Sequence, residues 1–280
     1  MSRKYAACVV IFVWVLLPLC ANAGELISTN NTFELGMTYY KFDYKEDVDP
    51  PLKSTEDGWL PGVYFGYTYN RPDGVYTKLF LEYSSGDVDY DGTTQSGTPV
   101  RFNDSAQELY RYEWNIGYTF SVSKTFSLTP FAGIGYRFWR RGKSEIRASF
   151  VTLQEEYEWL YVPVGLRADV VLSRRLSLEP SAGVRLVFDG TMTVLYSDIY
   201  AVNNDPELDL GNKIGWWAEL PVRYRFAQHW SFVVTPWYAY SAIGKSDEAF
   251  VSDGQTTLVV YEPSSRTHQY GLKFAIALVY

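Results

Sequence analysis

The sequence predicts an all-β fold: an antiparallel up-and-down transmembrane β-barrel of about ten strands, with eight or twelve as the alternatives. Three observations point there. Large apolar residues occupy every second position in segment after segment of the 280-residue chain. The connections between those segments alternate between very short and long. Aromatic residues make up 18% of the chain, 24 of them tyrosines, yet after the N-terminus no apolar run is long enough to cross a bilayer as a helix.

The N-terminus reads as an export signal. Arg3 and Lys4 precede the apolar run Ala6–Cys20, and Ala21-Asn22-Ala23 forms an A-x-A cleavage site. Acylation at Cys20 would want a small residue before it, and Leu19 is not small. Residues 1–23 are therefore expected to be removed, leaving residues 24–280 as a single barrel domain. Cleavage would remove both cysteines, Cys8 and Cys20, and with them any disulfide, thiol nucleophile or cysteine metal site. It would also remove two of the 25 basic residues and none of the 32 acidic ones, leaving 23 against 32, a net charge of −9. That balance opposes nucleic-acid binding.

Successive side chains of a strand point to opposite faces, so alternation locates the strands and their two faces together. In chain order the expected strands are β1 Thr32–Tyr44, β2 Trp59–Tyr69, β3 Val75–Ser85, β4 Leu109–Phe120 and β5 Ser127–Trp139. They continue with β6 Tyr157–Leu172, β7 Ser177–Phe188, β8 Lys213–Phe226, β9 Ser231–Ile243 and β10 Thr267–Tyr280. The turns "NRPDG" (70–74), "SVSKT" (121–125), "SRR" (173–175) and "AQH" (227–229) are short. Long polar connections fall at 45–58, 86–108, 142–156, 189–212 and 244–266. A hairpin unit repeats: "SLTPFAGIGYRF" (127–138) matches "SLEPSAGVRLVF" (177–188), and "FVVTPWYAY" (232–240) echoes both. Pro130, Pro180 and Pro236 recur at one register of that unit.

Charges sit opposite the greasy face. The expected lumenal set comprises Arg111, Glu113, Arg137, Arg141, Arg167, Asp169, Glu179, Arg185, Glu219, Arg223, Arg225 and Lys273. Parity adds Glu34, Lys78, Glu82, Asp189 and Lys213. A soluble sandwich would share the alternation but leave these charges in water. The export signal, the loop pattern and the aromatic C-terminus favour the membrane. A ten-strand barrel is barely wider than one filled by its own side chains. Mixed charges in that space are expected to pair across it, Lys273 with Glu34 on the adjoining β1 for example, closing or narrowing the lumen.

The chain ends "YGLKFAIALVY", with Tyr270, Leu272, Phe274, Ile276, Leu278 and Tyr280 on one face. This resembles the assembly signal of bacterial outer-membrane β-barrel proteins, which end in alternating apolar residues and a terminal aromatic. The resemblance implies outer-membrane localisation in a Gram-negative bacterium and recognition by the barrel-assembly machinery. It also implies contact with outer-membrane lipid and lipopolysaccharide, and a monomer. Short turns then face the periplasm and long loops the exterior. Trp59, Trp139, Trp159 and Trp216 fall near outer strand ends and Trp230 near a periplasmic turn, as interfacial aromatic girdles require.

Chemistry-bearing patterns are sparse. "GDVDYDG" (86–92) places Asp87, Asp89 and Asp91 like the first half of a calcium loop, but Thr98 stands where the bidentate glutamate belongs. Calcium is the one cofactor this suggests. The loop 189–212 carries Asp189, Asp198, Asp205, Glu207 and Asp209 with no Lys or Arg. Barrel enzymes such as omptin proteases and lipid A deacylases need a histidine or nucleophile pair. His229 lies in a periplasmic turn, and His268 points outward near Ser264 and Ser265. No catalytic residue is assigned. The sequence supports first a structural or surface-interaction barrel working through acidic outer loops, then a porin-like narrow channel for small solutes, then a surface hydrolase of the omptin or lipid A deacylase kind.

Overall fold

The computed structural model describes residues 30–280 except 95, 148, 149, 203, 253, 255 and 256, so the expected signal segment with Cys8 and Cys20 lies outside the described residues. Ten antiparallel strands close into a ring. With the labels kept, β1 is Asn30–Glu46, β2 Ser54–Asn70, β3 Gly74–Thr93, β4 Pro99–Ser123 and β5 Phe126–Arg141. Next come β6 Glu155–Val171, β7 Leu176–Leu178 with Ser181–Val194, and β8 Ile214–Glu219 with Val222–Arg225. The ring ends with β9 Trp230–Ile243 and β10 Ser265–Val279. Each strand pairs with its sequence neighbours. Closure runs from Thr32 opposite Val279 to Glu46 opposite Ser265, giving β1 and β10 an unbroken ladder.

The breaks in β7 and β8 fall at Pro180 and Pro221, which have no N–H to offer the ladder. Their carbonyls still take part: Pro180 accepts from Ala168 N at 2.9 Å and Pro221 from Glu179 N at 2.9 Å. The short turns are tied locally. Asp73 adopts a positive φ of 49° in the first, and its carboxylate accepts the Ser121 N–H at 2.9 Å.

Of two expected long loops, half of one and most of the other are strand. Within 45–58, β2 begins at Ser54, and within 86–108, β3 runs to Thr93 and β4 starts at Pro99. The barrel therefore extends well beyond its apolar belt at the long-loop end. Small ribbons stand there too: 145–146 with 151–152, 207–210 against β7, and 249–252 with 257–260.

Parity sorts the two faces. Leu35, Met37, Trp114, Ile116, Phe232 and Phe274 are exposed on the outer wall. Aromatic pairs bound this belt. At the long-loop edge Tyr39 stacks on Trp59 at 5.1 Å and Trp216 on Tyr238 at 4.7 Å. At the short-turn edge Phe226 meets Phe232 at 4.5 Å, and the terminal Tyr280 stacks on Phe33 at 5.7 Å. Inside, Tyr40, Phe42, Tyr44, Trp139, Tyr157 and Tyr161 are almost wholly buried.

Four expectations need correction. Trp139 and Trp159 are not girdle residues; at 2% and 6% exposure they pack inside the barrel, on the lumenal parity of their strands. Asp189 leaves the lumenal set because a bulge between Phe188 and Thr191 puts it at a φ of 54° and in solvent. Lys213 precedes β8 and is exposed. Glu34 does not pair with Lys273: the register sets Glu34 opposite Ala277 and Lys273 opposite Thr38.

Candidate functional site: the charged lumen and its outer crown

Three tiers of charge fill the barrel. In the tier nearest the short turns, Arg223 donates through Nε to Glu179 at 2.5 Å and through Nη2 to Glu34 at 2.6 Å. Arg167 bridges Asp169 at 2.6 Å and Glu179 at 3.0 Å. Below them a cavity of about 60 Å³ is lined by Arg225, Ser121, Ser177 and Asn70 among others.

The middle tier joins opposite walls. Lys78 on β3 reaches Glu219 on β8 at 3.6 Å, and Lys273 on β10 reaches the same carboxylate at 3.4 Å. Lys273 also lies 4.9 Å from the centre of the Phe80 ring and 5.1 Å from that of Trp237. Arg111 pairs with Glu82 at 3.1 Å and Arg185 with Glu113 at 3.6 Å. Arg137 finds an amide, Gln269 Oε1 at 3.2 Å, and the Trp159 face at 5.4 Å.

The upper tier stands above the aromatic edge of the belt. Arg141 donates through Nη1 to Glu46 at 2.9 Å and Glu155 at 2.8 Å, through Nε to Glu56 at 3.1 Å, and through Nη2 to Ser54 at 3.2 Å. Ser105 Oγ and Gln107 Nε2 complete the Glu56 shell at 2.6 and 3.2 Å. A fourth carboxyl, Glu262, descends from the β9–β10 connection and meets Tyr44 at 3.3 Å and Tyr157 at 2.9 Å. Burial, then the neighbouring Glu46 and Glu155 carboxylates, push the Glu262 carboxyl well above the ordinary range, against the lowering effect of Arg141.

Eleven of the twelve expected lumenal charges thus enter this network directly; the twelfth, Arg225, lines the lower cavity. Sequence reasoning missed Glu46, Glu56, Glu155 and Glu262, because it placed their segments in loops. The usable signal was parity: Glu46 and Glu56 continue the inward alternation of β1 and β2 past the apolar belt.

The calcium-like aspartates are not brought together. At about 3.3 Å per residue, Asp87 and Asp91 stand about 13 Å apart along a strand, beyond the reach of one cation. Asp91 instead accepts from Lys53 at 2.7 Å and Arg101 at 3.2 Å, Asp87 lies 3.7 Å from Lys143, and Asp89 faces Asp57 across the ladder. Among the described residues no group of three His, Cys, Asp or Glu could hold a metal ion. His268 faces outward with Nδ1 2.6 Å from the Tyr238 hydroxyl, whereas Ser265 is buried on the opposite, lumenal parity. Ser264 Oγ accepts from Lys245 N at 3.0 Å. Neither of these serines pairs with His268. The assembly-signal residues Tyr270, Leu272, Phe274 and Ile276 are exposed on the belt, and Tyr280 donates its N–H to Asn31 at 3.0 Å.

A solved structure shares this fold. The outer membrane protease OmpT from Escherichia coli superposes with a TM-score of 0.60 at 10% identity, over 93% of this chain and all of that one. The outer membrane protein OprG from Pseudomonas aeruginosa gives 0.42 at 10% identity, over 92% and 99% of the two chains. The translocator domain of autotransporter NalP from Neisseria meningitidis gives 0.40 at 14% identity, over 97% and 96%. No curated protein sequence matches the chain. The family model for the autotransporter beta-domain matches residues 29–257, most of the ring from β1 through β9, and the chain is accordingly an outer-membrane β-barrel that belongs to the autotransporter beta-domain family.

Proposed function

We propose that this protein is a sealed barrel that works from the outer surface, its lumen locked by ion pairs and its extracellular crown serving as a structural or interaction surface. The observation that carries this reading is the contact between Lys78 and Glu219. β3 and β8 are five strands apart in a ring of ten, so they stand on opposite walls, and their side chains meet at 3.6 Å. A lumen whose opposite walls touch at mid-height has no room for a hydrated solute. The buried aromatic layer around Trp139, Tyr157 and Tyr161 supports the same conclusion above that contact.

The test is conductance. The purified barrel in a planar bilayer is expected to give no stepwise single-channel current at neutral pH. Reproducible discrete openings from the unmodified protein would refute the sealed barrel and favour the narrow channel.

Contact with lipopolysaccharide, a monomeric state and recognition by the assembly machinery belong to the same reading. For the last, the C-terminal Tyr280 against Phe33 is the supporting contact. Deletion of Tyr280 is expected to lower the membrane yield of heat-modifiable barrel more than Tyr270→Ala does. Equal yields in the deletion and the wild type would remove Tyr280 as an assembly determinant.

A further inference from the structure

Described parts of the connection between β9 and β10 pack against the aromatic cluster at the long-loop end of the barrel. Its ribbon, 249–252 with 257–260, presents Val251, 3% exposed, and packs Ala249 and Val260 against the aromatic cluster that includes Trp139 and Tyr157. The base of this lid is pinned at Ser246 and Glu262: Ser246 N donates to the Glu262 carbonyl at 3.0 Å, and Glu262 N to Ser246 Oγ at 2.7 Å. From there the Glu262 side chain points down into the upper tier.

Proton counting shows what holds it. Glu46 Oε1, Tyr44 Oη, Glu262 Oε1, Tyr157 Oη and Glu155 Oε2 form a chain of oxygens spaced 3.1, 3.3, 2.9 and 3.0 Å apart. Each hydrogen bond in such a chain needs one proton, and two phenols supply two for four contacts. Glu46 and Glu155 each meet Arg141 Nη1, at 2.9 and 2.8 Å, whereas Glu262 has no ion-pair partner within 4 Å among the described residues, so the phenols are assigned to Glu46 and Glu155. Both contacts to Glu262 are then left as oxygen lone pairs facing each other. One proton on Glu262 repairs the shorter of them, donated to Tyr157, and the unrepaired contact is the longest of the four.

The charges agree. The groups against Glu262 are Glu46 and Tyr44 from β1, Arg141 from β5, and Glu155 and Tyr157 from β6; Glu56 from β2 and Tyr90 from β3 lie around the same arginine. That is one cation for three other carboxylates. On its own segment Lys245 is turned to the Tyr261 ring, 4.3 Å from its centre. We infer that Glu262 is a protonated carboxylic acid that latches the β9–β10 lid shut, and that its ionisation releases the lid from the barrel mouth.

Linkage sets the sign. The closed lid raises the affinity of Glu262 for its proton, so closure is fully favoured below the carboxyl's ordinary range and is lost as pH rises through its elevated value. An ionised Glu262 would sit buried beside Glu46 and Glu155 with no cation of its own.

The measurement is hydrogen exchange of the full chain in lipid vesicles, as protection factors from about pH 5 to about pH 9, below the ordinary tyrosine range. In the wild type, the amides of 245–252 and 257–264 are expected to lose at least about tenfold protection as pH rises, the equivalent of about 1.4 kcal/mol, while β1 and β10 stay protected. Glu262→Gln, neutral at every pH, is expected to keep the segment protected throughout. The infrared C=O stretch of a protonated carboxyl, present in the wild type at pH 7 and absent from Glu262→Gln, reads the proton directly. A wild-type segment equally protected to the top of the range, a Gln variant that loses protection in parallel with the wild type, or an ionised Glu262 at pH 7 would each overturn the latch.

Discussion

Phe274→Lys is expected to cost about 2–4 kcal/mol of barrel stability, because it places an ammonium on the lipid face near mid-height of the apolar belt. Phe274 is 50% exposed on the outer wall, between Leu272 and Ile276, which are also exposed. The neighbouring substitution Lys273→Leu should be far milder. Lys273 is 4% exposed inside the lumen, and its partner Glu219 keeps Lys78 at 3.6 Å and the Ser181 hydroxyl at 3.1 Å when the lysine is gone. Losing one charge-assisted contact of 3.4 Å from a carboxylate that retains two others is expected to cost about 1–2 kcal/mol. Urea unfolding in lipid vesicles, with membrane yield alongside, measures both. If Phe274→Lys inserts and folds like the wild type while Lys273→Leu does not, the two faces have been assigned the wrong way round.

Arg223→Met should destabilise the barrel by about 3–5 kcal/mol, the cost of leaving buried carboxylates without their cation. Arg223 bridges Glu34 on β1 and Glu179 on β7, and Glu34 has no other ion-pair partner within 4 Å among the described residues. Glu179 still keeps Arg167 at 3.0 Å, so the deficit concentrates on Glu34. Adding Glu34→Gln to Arg223→Met is therefore expected to restore much of the loss, a non-additivity that a double-mutant cycle would read as coupling between β8 and β1. Additive losses in that cycle would mean the bridge contributes nothing to holding those strands together.

Arg137 shows the limit of pairing as a rule. Parity places it in the lumen correctly, but it meets Gln269 and the Trp159 ring rather than a carboxylate. A neutral partner and an aromatic face suffice where the tier above already holds more carboxylates than cations. Charge composition alone does not reveal this, because the vertical position of each charge depends on the stagger of its strand.

Strand number, strand order, the inward or outward sense of side chains along the belt and the apolar C-terminal strand were all legible from the chain. Each depends on neighbours one or two residues away: side chains alternate at period two, and the turn residues at 70–74, 121–125, 173–175 and 227–229 stop each hairpin. Where the strands end at the outer side was not legible, because beyond the lipid belt the outer face turns polar and the alternation of hydrophobicity fades while the ladder continues. Glu46 and Glu56 were lost to loops for that reason, and Asp189 was misplaced because a bulge resets the parity of the strand beyond Phe188. Partner choice across the lumen belongs to the tertiary structure alone. Which cation meets Glu34 is decided by strand tilt and by stagger accumulated around the closed ring, so Arg223, 189 residues away in the chain, reaches Glu34 while Lys273 on the adjoining strand does not.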